Sequence, residues 1–224
     1  MKKSLSLGMI LLSIACSKES SHSTPNSVVN MQNKWPDPTS VPVCIMNRSE
    51  ITDELFNDIK THVVNDYSSK ADIGFVGWAD CQSSDMNAPV IRVIFHRVHN
   101  WNNSSSASAG GGKSKVGRDE TSCGGCGGGT MSLDVGSNGA YPPSTSRVRD
   151  FIVKQTRATA VHEFGHAMGL LHEHERSDAA GCNDFSGFVQ NSDRNVYVGE
   201  YDPDSIMNYC VNKELTSLSA GDIA

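Results

Sequence analysis

Apolar positions along the chain predict two helices. Between residues 50 and 67, apolar side chains recur at four-residue steps, which is the spacing of one helix face. These side chains are Ile51, Leu55, Ile59 and Val63. A second, longer helix is predicted over residues 146–169. The pattern therefore predicts two long helices that are well separated along the chain.

Three shorter segments predict strands, because they are rich in β-branched and aromatic residues. They are residues 73–78, 90–95 and 130–135, and the last is entered through three consecutive glycines. The part of the chain that follows the second helix has no regular pattern of this kind. The order of elements is therefore a strand-rich first half, a long helix and an irregular final part.

The N-terminus is typical of a secretory signal peptide. Two lysines are followed by an apolar run that ends at Ala15, and this run is too short to span a bilayer. The residues around Cys16 resemble a bacterial lipobox, although Ser13 stands where leucine is usual. Two outcomes follow: lipidation of Cys16 on an outer-membrane or cell-surface lipoprotein, or cleavage after Ala15 that releases a secreted protein.

The chain divides into three parts. Residues 1–15 are the predicted signal peptide, and residues 16–38 are a polar tether that begins at Cys16. Residues 39–224 are long enough for one domain with its own core. Residues 218–224 predict the first turn of a helix, which indicates either a fragment or a domain without a closing C-terminal helix.

Cysteine usage agrees with export. Seven cysteines leave six after Cys16, and an even number in an exported chain predicts disulfides. Spacing alone leaves the connectivity open, and we predict the pairs Cys44–Cys81, Cys123–Cys126 and Cys182–Cys210. The Cys123-Gly-Gly-Cys126 segment has two alternatives, half of a zinc knuckle or a redox CxxC. No second CxxC exists to complete a knuckle.

Charge and composition argue against two classes of ligand. The formal net charge of −6 argues against nucleic-acid binding. Residues 107–114 imitate a phosphate-binding loop, but Ala107 occupies the position of its first glycine, and no predicted strand or helix flanks them. We therefore predict a flexible surface loop there and no nucleotide.

The strongest chemical signal is a cluster of histidines at the end of the second predicted helix. His162 and His166 are four residues apart, so they lie on one helix face and can bind one metal ion. Glu163 stands beside them, where it can take a proton from a water that the metal activates. At about 100° per residue, a continuing helix would turn His172 away. Gly169 can take a positive φ, end the helix and return His172 to the metal.

These residues spell HExxHxxGxxH, the signature of the metzincin zinc endopeptidases, and Glu173 after the third histidine resembles the astacin branch. Residues 204–209 resemble the Met-turn of that family, with Met207 beneath the zinc and Tyr209 as an additional, displaceable ligand. The resemblance implies an α+β fold. Its features are a twisted, mostly parallel sheet, two long helices above the cleft, and a small irregular lower subdomain that contains the Met-turn.

The resemblance also implies a function: a monomeric metalloendopeptidase that uses one catalytic Zn²⁺ to hydrolyse protein or peptide substrates outside the cytoplasm. Glu163 is expected to act as general base and Tyr209 to bind the oxyanion, while Glu173 anchors the lower subdomain. The strand at 130–135 is expected to form the edge of the cleft, where an extended substrate adds to the sheet. The alternatives are a catalytically silent, zinc-stabilised binding or adhesion protein and a peptidoglycan or small-peptide hydrolase.

Other histidines are weaker candidates. His96 and His99 lie three apart near the end of a predicted strand, and we interpret them as surface residues rather than a structural metal site. His174 lies two residues after His172 and is an alternative third ligand. The offset from Gly169 favours His172.

Overall fold

The computed structural model describes residues 27–99, 111–179, 195–210 and 215–223 of the chain. The predictions of a signal peptide over 1–15, of lipidation at Cys16 and of a bond to Cys182 therefore lie outside the described residues. Within the described ranges, no helix combines the length and the apolar character needed to cross a membrane.

Both predicted helices are present. Helix α1 spans Asp53–Lys70 and begins later than predicted, because the side chain of Thr52 accepts a hydrogen bond from the Leu55 N–H and caps the helix. Helix α2 spans Arg149–Met168 and ends at Gly169. The two helices contact each other, and both contribute side chains to one hydrophobic core.

The strands form two sheets within the described residues. The strands are β1 (Ser27–Asn30), β2 (Val41–Ile45), β3 (Phe75–Asp80), β4 (Ile91–His99), β5 (Gly112–Ser114), β6 (Met131–Gly136) and β7 (Asn195–Val198). The larger sheet has the order β3-β2-β4-β6-β5, in which only β5 is antiparallel to its neighbour. The predicted α+β fold with a mostly parallel sheet is confirmed.

Strand β2 lies inside this sheet, although its sequence did not predict a strand. Its second residue is Pro42, which usually argues against a central strand because proline has no N–H to donate. The register explains the exception. Pro42 pairs only with β3, at Val76, and the pairing of β2 with β4 begins one residue later, at Val43.

The prediction that residues 130–135 form the edge of the cleft, where an extended substrate would add to the sheet, is wrong. Strand β5 pairs with β6 on its outer side and takes the edge position. The hydrogen bonds of Asp134 N–H to Gly111 O (2.8 Å) and of Lys115 N–H to Thr130 O (2.9 Å) extend this pairing. The prediction of a surface loop over 107–114 is also wrong for residues 112–114, because a strand of three residues is too short to show an alternating pattern.

Residues 27–38 also differ from the predicted tether. Strand β1 pairs with β7, and Val29 forms a bridge to Leu170. The indole N–H of Trp35 donates to Ala167 O at 2.7 Å, at the end of α2. The segment packs against the domain because Val29 and Trp35 give it apolar surface to bury, which a polar tether lacks.

Aromatic packing fixes the orientation of α2. Phe164 is fully buried, stacks on Trp78 with ring centroids 5.4 Å apart, and meets Phe75 edge to face at 4.8 Å. Burial of a phenylalanine contributes about 1.5–3 kcal/mol. Phe164 lies between the histidine-bearing turns of the helix, so this packing also orients the imidazoles.

The disulfides Cys44–Cys81 and Cys123–Cys126 are confirmed. The first joins β2 to the residue that follows β3. Cys210 is also disulfide-bonded. Its predicted partner, Cys182, lies outside the described residues, so that pairing stays a prediction.

Candidate metal centre

The end of helix α2 brings the candidate ligands together. His162 and His166 lie on buried turns of the helix, and Gly169 follows in the left-handed conformation with φ 105°. Its N–H bonds to His166 O, and the next N–H bonds to Gly165 O, which closes the helix as a left-handed cap does. The chain then reverses and carries His172 back to the first two histidines, as the spacing predicted.

The three imidazoles converge on one point. The ligand atoms that His162, His166 and His172 offer lie within 4.8 Å of one another, and the Nε2 atoms of His166 and His172 are 3.1 Å apart. Two nitrogens bound to one tetrahedral zinc ion at about 2.0–2.1 Å are about 3.3–3.4 Å apart. The donor set and its spacing therefore fit a zinc ion.

The Nδ1 atom of each imidazole faces an oxygen acceptor. These acceptors are Ile206 O for His162 at 2.9 Å, Leu170 O for His166 at 2.8 Å and Glu175 Oε1 for His172 at 3.2 Å. Nδ1 therefore carries the hydrogen in each ring, and the Nε2 lone pair is free for a metal.

The imidazoles are neutral near pH 7. Burial, with the neighbouring imidazoles acting in the same direction, lowers the pKa of His166 and of His172 to about 3. Burial also lowers the pKa of His162. Neutral imidazole is the form that binds a metal, so the site does not have to lose protons first.

Glu163 lies between the histidines and the edge strand. A Cβ atom placed on Gly112 would lie 2.6 Å from Glu163 Cγ, so the side chain packs directly on the backbone of β5. Its Oε2 atom is buried and has no hydrogen-bond partner among the described residues, which leaves it available to a substrate or an attacking water. Burial, together with the nearby charge of Asp134, raises the pKa of Glu163 to about 8.

The predicted Met-turn passes beneath the helix. Met207 is almost fully buried, and a Cβ atom on Gly165 would lie 2.7 Å from its sulfur. Two residues later, Tyr209 stacks on the His162 ring, and its Oη atom lies 2.9 Å from His162 Nε2. The tyrosine hydroxyl thus reaches the point where the imidazoles converge.

Glu173 is fully buried. Its carboxylate accepts a hydrogen bond from Asp202 N–H at 3.0 Å and lies 3.3 Å from Arg176 Nη1. Its own N–H donates to Met207 O at 3.1 Å. These contacts join the segment after the third histidine to the Met-turn, and the anchoring role of Glu173 stays a prediction.

His174 and His96 occupy other positions. His174 is buried, and its Nδ1 atom accepts a hydrogen bond from Tyr209 N–H at 3.2 Å, which agrees with His172 as the third ligand. His174 does lie close to His172 and Glu175 in a second group of possible ligands. His96 Nδ1 is 3.9 Å from Asp134 Oδ1 and belongs to no metal-binding group among the described residues. The side chain of His99 lies outside the described part of the chain.

Two residues of the site were missed from the sequence. The role of Glu175 could have been predicted, because the carboxylate of an acidic residue three positions after a ligating histidine can reach that histidine within one turn. Gly112 gave no signal, since nothing local indicates that β5 meets Glu163. Both line a cleft of about 340 Å³. The cleft is lined by Gly112, Lys113, Ser114, Val116, Glu163, His166, Leu171, His172, Glu175 and Tyr209.

Comparison with the solved structure of myroilysin confirms the fold. The structure of myroilysin aligns with a TM-score of 0.56 and 21% identity over 88% of this chain and 96% of that chain. High choriolytic enzyme 1, a hatching-enzyme zinc-protease from the medaka fish Oryzias latipes, aligns with a TM-score of 0.44 and 18% identity over 82% and 85%. The myroilysin alignment spans nearly the whole of both chains, so the two proteins share this α+β architecture.

Sequence comparisons add little to this. No curated protein matches the chain. A family model described as coiled coil matches residues 95–173, which is less than half of the chain. The described part of that range contains β5, β6 and α2, which pack as a sheet and a helix.

Proposed function

We propose that the protein is a zinc-dependent metalloendopeptidase that acts on protein or peptide substrates outside the cytoplasm. One observation carries the proposal: the Nε2 atoms of three neutral imidazoles converge beside a buried carboxylate that has an unpaired oxygen. A structural zinc site has no use for such a carboxylate. A hydrolytic site needs one, which also argues against a silent binding protein.

His162, His166 and His172 would hold the metal, and Tyr209 would be a displaceable fourth ligand. A bound zinc ion supplies Lewis-acid activation of water and of the substrate carbonyl. Glu163 accepts the proton of the attacking water and then delivers it to the departing amine. The positive charge of a metal ion held by the histidines would favour the ionised form of Glu163, which would offset the effect of burial on its pKa.

Tyr209 is suited to donate a hydrogen bond. Partial desolvation of the hydroxyl, together with the charge of Glu163, raises its pKa to about 12, so the hydroxyl stays protonated near neutral pH. The residue is 53% exposed, which leaves its ring room to turn from His162 toward the cleft. The proposal gives it the negative oxygen of the tetrahedral intermediate as acceptor.

Strand β5 supports an extended polypeptide as substrate. It ends the strand order of the larger sheet, so its outer edge offers main-chain hydrogen-bonding groups. Gly112 in this strand lies directly against Glu163. A peptide added along the edge by β-augmentation would pass the proposed base and ligands, which favours an endopeptidase over a hydrolase of small molecules.

The proposed compartment is extracytoplasmic. Two disulfides within the described residues fit an oxidising environment, as does the apolar N-terminal run. Lipid anchoring at Cys16 and release after cleavage at Ala15 both agree with this location. Labelling with a fatty-acid analogue in a bacterial host would distinguish them, since only the lipoprotein incorporates it.

Cleavage of unfolded casein by the chain from residue 17 onward, with zinc content measured, tests the proposal. We expect about one zinc per chain and cleavage. The Glu163→Ala variant should keep its zinc and lose turnover by a factor of about 10²–10⁴. Asp80→Asn, at an exposed position on β3, is the control and should match the parent.

Three results would contradict the proposal. A folded parent without zinc would remove the metal centre. Zinc in both proteins with no cleavage of several protein substrates by either would favour the binding-protein alternative. Cleavage of peptidoglycan fragments in place of proteins would favour the cell-wall hydrolase.

A further inference from the structure

The third histidine depends on a neighbouring carboxylate. Glu175 ends the short 3₁₀ turn that follows His172, and its Oε1 atom lies 3.2 Å from His172 Nδ1. Both side chains are partly buried, at 25% and 30% exposure, so the contact is partly shielded from water. The carboxylate therefore contacts the imidazole at Nδ1 and leaves Nε2, on the other side of the ring, available to a metal.

The other two histidines are held differently. Ile206 and Leu170 offer main-chain oxygens to His162 and His166, and these acceptors are present whatever side chains stand there. Both rings also project from a regular helix. His172 lies beyond the helix end and is the one ligand of the three whose Nδ1 acceptor is a side chain. A single substitution can therefore remove its acceptor.

We propose that Glu175 is a positioning residue for His172: its carboxylate fixes the Nδ1–H tautomer and turns Nε2 toward the other two imidazoles. This inference rests on the proposed zinc site. A carboxylate that accepts from the remote nitrogen of a ligating histidine orients the ring and raises its basicity as a ligand. Glu175 thus supplies by a side chain the acceptor that the main-chain oxygens of Ile206 and Leu170 supply to the other two ligands.

A role in substrate binding is the competing explanation, because Glu175 also lines the cleft. The two roles predict different measurements. A positioning residue changes the affinity for the metal in the absence of substrate. A residue that only contacts substrate changes KM and leaves metal affinity as it was. The geometry favours positioning, since the carboxylate already lies on the imidazole.

The test compares Glu175→Gln, which keeps an acceptor oxygen at the same length, with Glu175→Met, which has similar length and no acceptor oxygen. Asp80→Asn controls for the loss of one negative charge. The zinc dissociation constant is measured by chelator competition, and the visible spectrum of the Co²⁺-substituted proteins reports ligand geometry. We expect Glu175→Met to bind zinc about 10–100-fold more weakly with an altered cobalt spectrum. Glu175→Gln should stay within about threefold of the parent, since it restores the acceptor.

Equal zinc affinity of the Gln and Met variants, whatever its value, would overturn the proposal, as would an unchanged affinity with a raised KM. Failure of the proposed function is a separate result. In that case the parent itself, folded by circular dichroism, binds no zinc. A Met variant that does not fold is replaced by Glu175→Leu, to which the same comparison with Gln applies.

Discussion

The three candidate ligands come from two regions that are held together in different ways. We call residues 41–169 the sheet region and residues 170–223 the lower region. The sheet region buries a large apolar core that includes Phe164. The described part of the lower region buries few apolar side chains, and more of its buried side chains are polar. The apolar ones are Leu170, Ile206, Met207 and Leu218, and the polar ones are Glu173, His174, Arg176, Ser205, Asn208 and Asp222.

The polar contacts of the lower region converge on the Met-turn. The carboxylate of Asp222 accepts hydrogen bonds from Ile206 N–H at 2.9 Å and from Ser205 Oγ at 2.5 Å. Ile206 O in turn accepts from His162 Nδ1, so one residue links the network to a ligand of the sheet region. Apolar packing positions side chains by shape, and its stabilising effect decreases gradually as contacts are lost. A buried polar network holds one arrangement of its members, and loss of one member leaves the others unpaired at a cost in stability. The metal site joins the two.

Removal of zinc should show the difference between the two regions most clearly. A metal present at about 1,000 times its dissociation constant stabilises the protein by about 4 kcal/mol. His172 is the ligand that the lower region contributes, so chelation should loosen that region first. Hydrogen exchange with and without a chelator measures this. We expect faster exchange around His172 and Met207 and little change in Ile91–His99. A uniform change across both regions would contradict the division.

Truncation of the aromatic core should weaken the sheet region almost as much. Phe164→Ala removes a fully buried ring that packs on Trp78 and Phe75, and such a change costs about 3–5 kcal/mol. Urea unfolding followed by circular dichroism measures it. Phe151→Ala lies on the same helix at 39% exposure and should change stability by about 0.5 kcal/mol or less. Equal effects of the two changes would show that the core does not hold α2.

Much of this division follows from the sequence. The signature around His162 is contiguous. Its spacing predicts that the first two histidines share one helix face, and that the chain must reverse at Gly169 to bring the third histidine back. The aromatic and β-branched segments likewise reported β3, β4 and β6, because their residues show a local preference. The sequence therefore predicted features that depend on neighbouring residues. These features are the elements with a pattern of their own and the ligands at the end of α2 and just after its cap.

The rest depends on contacts between distant segments. Strand β2 was missed because Pro42 conceals a strand that pairs on one side at that position. Strand β5 was missed because three residues carry no pattern. The polar composition of residues 27–38 predicts a tether because nothing local indicates their contact with the end of α2. The contact of Gly112 with Glu163 and the role of Asp222 share this origin. Each depends on which segments meet, and no local preference states that.

Loss of the Asp222 carboxylate should weaken the lower region by a smaller amount. Asp222→Ala leaves the Ile206 and Ser219 N–H groups without their acceptor in a buried place, and an unpaired group of this kind costs about 1–3 kcal/mol. We expect faster cleavage of the lower region by an added protease and weaker zinc binding through His162. The Asp80→Asn variant should match the parent in both assays. Unchanged zinc affinity in Asp222→Ala would show that the polar network does not contribute to metal binding.

The smallest expected effect comes from a change at the contact between Glu163, the proposed base, and the edge strand β5. In Gly112→Ala the new Cβ would lie 2.6 Å from Glu163 Cγ, and ordinary contact begins at 3.4 Å, so the carboxylate or β5 must shift by about 0.8 Å. Glu163 is packed by the rigid sheet region and cannot relax freely, so we expect kcat to fall about tenfold, which equals about 1.4 kcal/mol in the barrier. Zinc content should stay at the parent value. Gly124→Ala is the matched control, because its Cβ would meet only Lys113 Nζ at 3.8 Å. An unchanged kcat in Gly112→Ala would mean that the base tolerates displacement, and the sheet region would then not be what positions it.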